Sequence, residues 1–196
     1  MSFLFKNSKY LTDEVLMTQI EKGDQQAFNE LYKRYSNAML YYFMRMLKKD
    51  KEKAEDFVHD LFAKVIKNPA SFDASRSFKT WFYSVANNMC KNEYKKMQVR
   101  AGVHNGLDES FAVASSDMSA DTKVYQKQFE ESLILALEDL DEKHRETFTL
   151  RHFEEMSIKE IAVATNKSEG TVKSRLFYAT KKLAEVLKEF NPVLDR

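Results

Sequence analysis

Apolar residues recur at three- and four-residue steps along most of the chain, and the breaks between these runs carry helix caps and turn residues. Thr12 precedes Asp13 and Glu14, acids favoured by the positive end of a helix, and Gly23 closes that short helix. Asp24 caps a longer one, in which Phe28, Leu31, Tyr32, Tyr35, Met39, Tyr42, Phe43 and Met46 keep one face apolar until the break at Lys48 to Lys51. A third helix starts at Asp50 or the residue after it and turns Ala54, Phe57, Val58, Leu61, Phe62, Val65 and Ile66 inward. It stops at Asn68, because a residue before proline is pushed out of the helical region. After a turn containing Asp73 and Ser75, a fourth helix is predicted from about Phe78 to Lys96, with Trp81, Phe82, Val85 and Met89 apolar. The chain up to about Tyr10 and from Asn191 onward lacks periodicity and is expected to be loose.

Residues 101–122 break the pattern. They hold no Lys or Arg, the acids Asp108, Glu109, Asp117 and Asp121, two Gly, and many Ser and Ala, which is the composition of a linker. The reading is therefore a domain over residues 1–97, a flexible acidic linker over 98–123 and a second domain over 124–196. The second domain opens with a helix containing Phe129, Leu133, Ala136, Leu137 and Leu140, then one containing Phe148 and Leu150, and reaches SIKEIAVATNKSEGTVKSRLFYATKK, Ser157 to Lys182. Ser157 and Glu160 have the spacing of a capping box, and Met156 and Ile161 stand where a hydrophobic staple would. The helix they start is short, uses Ile158, Ile161 and Ala162 for one face, and gives out at Thr165, Asn166 and Lys167. Ser168 caps the next, whose apolar residues are Val172, Leu176, Ala179 and Leu183.

The other face of that last helix carries Thr171, Lys173, Ser174, Arg175, Tyr178, Lys181 and Lys182; from Lys167 to Lys182 there are five Lys or Arg against one acid, Glu169. Phosphates attract cations, and base edges in the major groove need donors and acceptors, so this face suits a DNA-reading helix-turn-helix. A solvated amphipathic helix would carry the same residues; the capping, the short first helix, the small Ala162 and the polar turn together favour DNA. Two further faces stay open. Glu52, Glu55, Asp56, His59 and Asp60 line the outside of the third helix, as a solvated surface or a partner surface. Ser84, Asn87, Asn88, Lys91 and Lys95 line the fourth, where amides, cations and aromatic rings suit unpaired nucleic acid, while Trp81 and Phe82 fit a core equally well.

Composition narrows the class. A chain of 196 residues, 43% hydrophobic, can build one or two small domains, and four Gly and two Pro favour an all-α fold. A net charge of +1 excludes a polycationic coat for indiscriminate nucleic-acid binding. The single Cys90 excludes an internal disulfide, and His59, His104, His144 and His152 are scattered without metal-ligand spacing. No metal, cofactor or small-molecule substrate is expected, and no catalytic constellation stands out. With no charged leader and no apolar run of membrane-spanning length, a reduced, cytoplasmic protein without membrane insertion is expected.

Taken in this order, the parts resemble a bacterial RNA polymerase sigma factor of the sigma-70 family, extracytoplasmic-function type. AEDFVHDLFAKVIKN is similar to the family's second-region helix that contacts core polymerase, FKTWFYSVANNMCKNEYKK to its promoter-melting and -10 segment, and SIKEIAVATNKSEGTVKSRLFYATKKL to its -35 reader. The resemblance covers nearly the whole chain outside both ends. It implies a non-enzymatic factor that directs core RNA polymerase to promoter DNA and assists opening. It places Asp56, His59, Asp60 and Phe62 at core polymerase. Asn87, Asn88, Lys91 and Lys95 would follow the -10 strand, with the Ser75 to Lys79 loop near a flipped base and Trp81 supporting or stacking. Thr171, Lys173, Ser174, Phe177 and Tyr178 would face the -35 groove, and Arg151, Arg175 and the amide end from Ser168 to Gly170 would hold phosphates. An anti-sigma factor is a further possible partner, and the linker would run toward the polymerase cleft and the RNA path.

The chain departs from the family pattern at His59-Asp60, where Gln-Glu is usual, and at Asp141, near which a Pro is common. It also departs at Tyr178, often basic, and at Lys167, generally apolar. Two other readings remain at this point: a conventional helix-turn-helix regulator that acts without polymerase, and a helical interaction module that touches no DNA.

Overall fold

The computed structural model describes residues 8–102 and 122–190; the expected loose ends and most of the linker fall outside these residues. Among the described residues eight helices follow one another: α1 (Asp13–Glu21), α2 (Gln25–Met46), α3 (Lys51–Lys67), α4 (Phe78–Gly102), α5 (Thr122–Glu138), α6 (Glu142–His152), α7 (Ile158–Thr165) and α8 (Glu169–Val186). Short 3-10 turns lie at Ser8–Tyr10, Pro69–Ser71 and Lys188–Phe190, and no strand occurs among the described residues.

The helix starts follow from local chemistry. Side chains of Thr12, Asp24, Asp50, Asp141, Ser157 and Ser168 each accept a hydrogen bond from a backbone N–H of the following turn, which would otherwise lack a partner. α4 is capped locally by Ser77, whose hydroxyl accepts from the N–H of Thr80 at 3.3 Å, and also from elsewhere in the chain: the N–H of Phe78 donates to Glu14 Oε1 at 3.0 Å, so the acid-rich first turn of α1 also supports the start of α4. That helix runs past the predicted end at Lys96 to Gly102. Its last turns present exposed Lys95, Lys96, Met97, Gln98 and Arg100, good helix formers that need no apolar period.

Aromatic rings fill the first half. Phe62 meets Tyr32 at 4.7 Å and Phe82 at 5.3 Å, Phe78 stacks on Phe82 at 5.0 Å, and Tyr42 meets Tyr83 edge-on at 5.4 Å. Arg34 fastens the N-terminal turn, donating to the carbonyl of Leu11 at 2.9 Å and to Asp13 at 2.6 Å. The second half has a small cluster of its own, Ala136, Leu137, Leu140, Phe148, Ala179 and Leu183. Its other apolar residues, Leu150, Met156, Ile161, Ala162, Ala164 and Val172, join the core of α1 to α4. The two halves are therefore packed together, with α7 against α4 and α6 against α2.

Candidate nucleic-acid interface

The turn between α7 and α8 is built as its sequence dictates. The Ser157 hydroxyl accepts from the N–H of Glu160 at 3.2 Å, and the Glu160 carboxylate accepts from the N–H of Ser157 at 2.8 Å, completing the capping box. Met156 and Ile161, 1% and 0% exposed, form the staple beneath it. Asn166 ends α7 in the left-handed region (φ 54°), which asparagine tolerates better than most residues. Ser168 then caps α8 through Thr171, and Val172, Ala179 and Leu183 bury its inner face. Gly170 has open space around it: an added Cβ would meet only Ser168 Oγ, at 3.9 Å.

On the outside of α8, Lys173, Ser174, Phe177 and Tyr178 are exposed, with Thr171 half-buried. Phe177 and Tyr178 form an edge-on ring pair at 5.4 Å and are 64% and 59% exposed, unusual for large rings unless something covers them. Lys167 is also exposed, so the polar residue at that position costs nothing in packing. Two of the expected phosphate holders are engaged internally. Arg151 donates to the carbonyl of Met156 at 2.9 Å, pinning the α6–α7 loop. Arg175 turns inward to Glu146 at 3.6 Å.

The expected strand-binding residues of α4 divide into two groups. Asn88 and Lys95 are exposed, and Trp81 is half-buried against Phe72 and Phe78 at 5.2 and 5.8 Å. Lys79, Asn87 and Lys91 instead share a stripe with Tyr83, at four-residue steps, that faces the second half. Lys79 Nζ donates to the carbonyl of Glu154 at 2.6 Å, and the Tyr83 hydroxyl donates to the Glu154 carboxylate. Asn87 is buried, and Lys91 Nζ lies 3.5 Å from Glu146 Oε1 and 3.5 Å from the carbonyl of Thr165. Arg45 of α2 completes the junction, 3.4 Å from Glu154 and 3.8 Å above the Phe153 ring.

Burial raises the Glu146 carboxyl above the ordinary carboxylate range, against the opposing pull of Lys91 and Arg175. It raises Glu154 likewise, against Tyr83, Arg45 and Lys79. Arg45 is lowered by burial, partly offset by Glu154. Sequence reasoning named neither carboxylate. The one available signal was their place in a polar stretch flanking Phe148 and Leu150, in which Arg145 to Leu150 are all buried.

In the first half, Asp56, His59 and Asp60 are exposed along α3. Phe62 lies beneath this surface, 2% exposed, where it supports the helix among Phe28, Tyr32 and Phe82. Beside the acids a cleft of ≈ 210 Å³ opens between α2 and α3, lined by Tyr32, Asn37, Leu40, Glu55, Val58 and His59 among others. Among the described residues no His, Cys, Asp and Glu group could hold a metal, and no helix is long and apolar enough to cross a membrane.

A helical body carrying an acidic helix face, an amide-bearing helix and a helix-turn-helix defines a nucleic-acid-binding transcription protein. Two family models match in this same order, Sigma-70 region 2 over residues 31–100 and Sigma-70 region 4 over residues 130–183. The chain belongs to the sigma-70 family of RNA polymerase sigma factors, in its extracytoplasmic-function group. It is 31% identical over 179 residues to the ECF RNA polymerase sigma-E factor of Escherichia coli (strain K12), covering 88% of this chain and 92% of that one. The sigma-E factor of Haemophilus influenzae is 29% identical over the same length, covering 88% and 93%. Solved structures with the same fold include the sigma factor RpoE in complex with the anti-sigma factor NepR from Bartonella quintana. That likeness has a TM-score of 0.65 at 22% identity, over 82% of this chain and 96% of that one. Another is CnrH in complex with the cytosolic domain of CnrY, with a TM-score of 0.66 at 23% identity, over 90% and 97%.

Proposed function

We propose that this sigma factor, acting in the cytoplasm and without catalysis of its own, joins core RNA polymerase through α3, reads the -35 element with α8 and captures the -10 strand with α4. Residues 1–97 and 124–196 are the two working units and 98–123 the connection between them. The observation that carries this reading is the outer face of α8, where Lys173, Ser174, Phe177 and Tyr178 stand exposed on a fully capped helix-turn-helix. Cations there hold phosphates, hydroxyls meet base edges, and a ring can lie against a thymine methyl.

Glu55 and His59 line the cleft between α2 and α3, and Asp56 and Asp60 are exposed on the same helix, a shape and charge suited to a basic helical element of the polymerase. Asn88 and Lys95 stand free on α4 to meet unpaired bases and backbone, with Trp81 behind them. Arg151, Arg175 and the first-turn amides from Ser168 to Gly170 serve phosphates, Arg175 after release from Glu146. An anti-sigma factor that covers either surface would hold the chain inactive, as the partners bound to the two structural neighbours suggest.

The test is a titration of the purified full chain onto core polymerase, followed by footprinting of the complex on genomic fragments. Tight association, two protected blocks upstream of a start site and permanganate-reactive thymines near -10 are expected. Tight DNA binding by the chain alone, with no association with polymerase, would favour a conventional regulator.

A further inference from the structure

Three rings line up across two helices at the edge of the outer face of α8. Tyr178 meets His144 of α6 at 6.1 Å and Phe177 at 5.4 Å. Phe177 is its neighbour on the same helix, whereas His144 reaches it from another one. The imidazole is itself fixed at two points. Asp141 Oδ1 accepts from the backbone N–H of His144 at 3.0 Å, as the cap of α6, and lies 3.0 Å from Nδ1 of the same residue. A carboxylate only accepts, so Nδ1 carries the proton and the orientation of the ring is set.

The two helices are held in register beneath the rings. Phe148, one turn after His144, shares a buried cluster with Leu183 and with Ala179, the residue that follows Tyr178. Lys182 Nζ donates to the carbonyl of Asp139 at 2.7 Å, which ties α8 to the turn before α6. The His144 side chain is 21% exposed and Tyr178 is 59% exposed, so the supporting ring is mostly covered and the supported ring mostly free.

A tyrosine on a helix surface ordinarily divides its time between two rotamers. A ring from a second helix standing against it orders it in advance, which spares entropy that an unsupported side chain loses at an interface. Its surroundings define what it meets. Lys173 and Lys181, exposed on the same helix, supply cations for phosphates, while a ring offers apolar surface to the C5-methyl group that marks thymine in the major groove.

We infer that His144 is a positioning residue for promoter reading: fixed by Asp141, it holds the Tyr178 ring against the C5-methyl of a thymine in the -35 element. This deepens the promoter reading above and rests on it. Removing one methyl from apolar contact lowers affinity by a factor of about four, which is the preference the ring contributes at one base pair.

The test uses the full chain bound to core polymerase and a randomised duplex library, from which the preferred sequence is recovered. That duplex is then remade with deoxyuridine at each thymine in turn, which removes the methyl alone. Wild type is expected to lose about fourfold in affinity at one thymine, and Tyr178→Ala to lose nothing there. His144→Ala keeps the backbone N–H that Asp141 accepts from, so α6 stays capped. Its methyl preference is expected to fall below about twofold at that thymine, with preferences at the other base pairs unchanged. His144→Phe, which keeps a ring, is expected to retain more of the methyl preference than His144→Ala, and it replaces that variant if circular dichroism shows early melting. A wild type indifferent to every deoxyuridine, or a full methyl preference in Tyr178→Ala or His144→Ala, overturns the inference. A His144→Phe protein as indifferent as His144→Ala overturns support by the ring. A uniform loss at all base pairs in His144→Ala with the methyl preference intact marks a purely structural role and also overturns it. Recovery of no preferred sequence by wild type and variants alike overturns the promoter reading instead.

Discussion

The ammonium of Lys79 lies 2.6 Å from the backbone carbonyl of Glu154, 75 residues further along the chain. The first turn of α4 is thus tied to the loop that precedes the helix-turn-helix. The same loop residue receives Tyr83 and Arg45, so the placing of α7 and α8 against the first half is set in part at Glu154.

This junction carries a pH dependence. Burial raises Glu146 and Glu154, so the packed seam binds protons more tightly than the opened one. Their contribution to packing is fully present below the ordinary carboxylate value and is lost as pH rises through the raised values. Glu14, Glu93, Asp141 and Glu160 are lowered and work the other way, losing stability as pH falls. The informative quantity is therefore a difference: between about pH 4.5 and pH 7, the urea stability of wild type relative to that of Glu154→Gln should fall as pH rises. A difference that stays constant with pH would remove Glu154 from this dependence.

Asp60 and Phe62 separate surface from support on α3. Asp60→Lys should leave stability within about 0.5 kcal/mol of wild type while weakening association with core polymerase. Phe62→Ala should cost about 3–5 kcal/mol through the cavity left among Phe28, Tyr32 and Phe82. Urea denaturation beside polymerase titration distinguishes the two.

Gly170 offers a similar separation on the promoter side. Gly170→Ala meets no obstacle within the chain and should raise stability by up to about 0.5–1 kcal/mol, since glycine in a helix loses more backbone freedom on folding. Its new methyl occupies the approach to the first-turn amides, so -35 duplex affinity should fall. Lys173→Ala should lose ~1–3 kcal/mol of discrimination at one base pair or weaken binding to all duplexes. Competition with single-substitution duplexes reads both, and unchanged binding would remove the residue concerned from the interface.

Asn88 is exposed on α4, one residue from the buried Asn87. Asn88→Ala should impair promoter opening, seen by permanganate reactivity, more than closed-complex formation, seen by band shift. An equal loss in both would end that division of labour.

Much of the fold was legible because it is written locally. Thr12, Asp24, Asp50, Ser157 and Ser168 are short polar side chains placed one residue before an apolar period, and each caps the helix it announces. Ser157→Ala should accordingly cost ~1 kcal/mol, a melting shift of about 2–4 °C for a chain of this size. The exposed face of α8 was legible for the same reason.

What lay outside local pattern was the contact between halves. Asn87 and Lys91 share a helix with Asn88 and Lys95, yet one pair turns inward and the other outward, and only tertiary packing decides which. Arg145 and Glu146 are charged neighbours in a polar segment, and no periodicity assigns them to the interior. Phe62 belongs to the apolar period of α3, which already placed it inward, and family resemblance alone drew it toward the surface. The tail of α4 beyond Lys96 is held by propensity without an apolar stripe, so a reading based on periodicity stops short of it.

The most direct test of the central claim is run-off transcription on a genomic promoter pool with core RNA polymerase, with and without the purified chain. Defined start sites that appear only with the chain, sharing two upstream elements, are the predicted result. No start sites with a chain that folds and binds core polymerase, or start sites unchanged by its presence, would contradict the account.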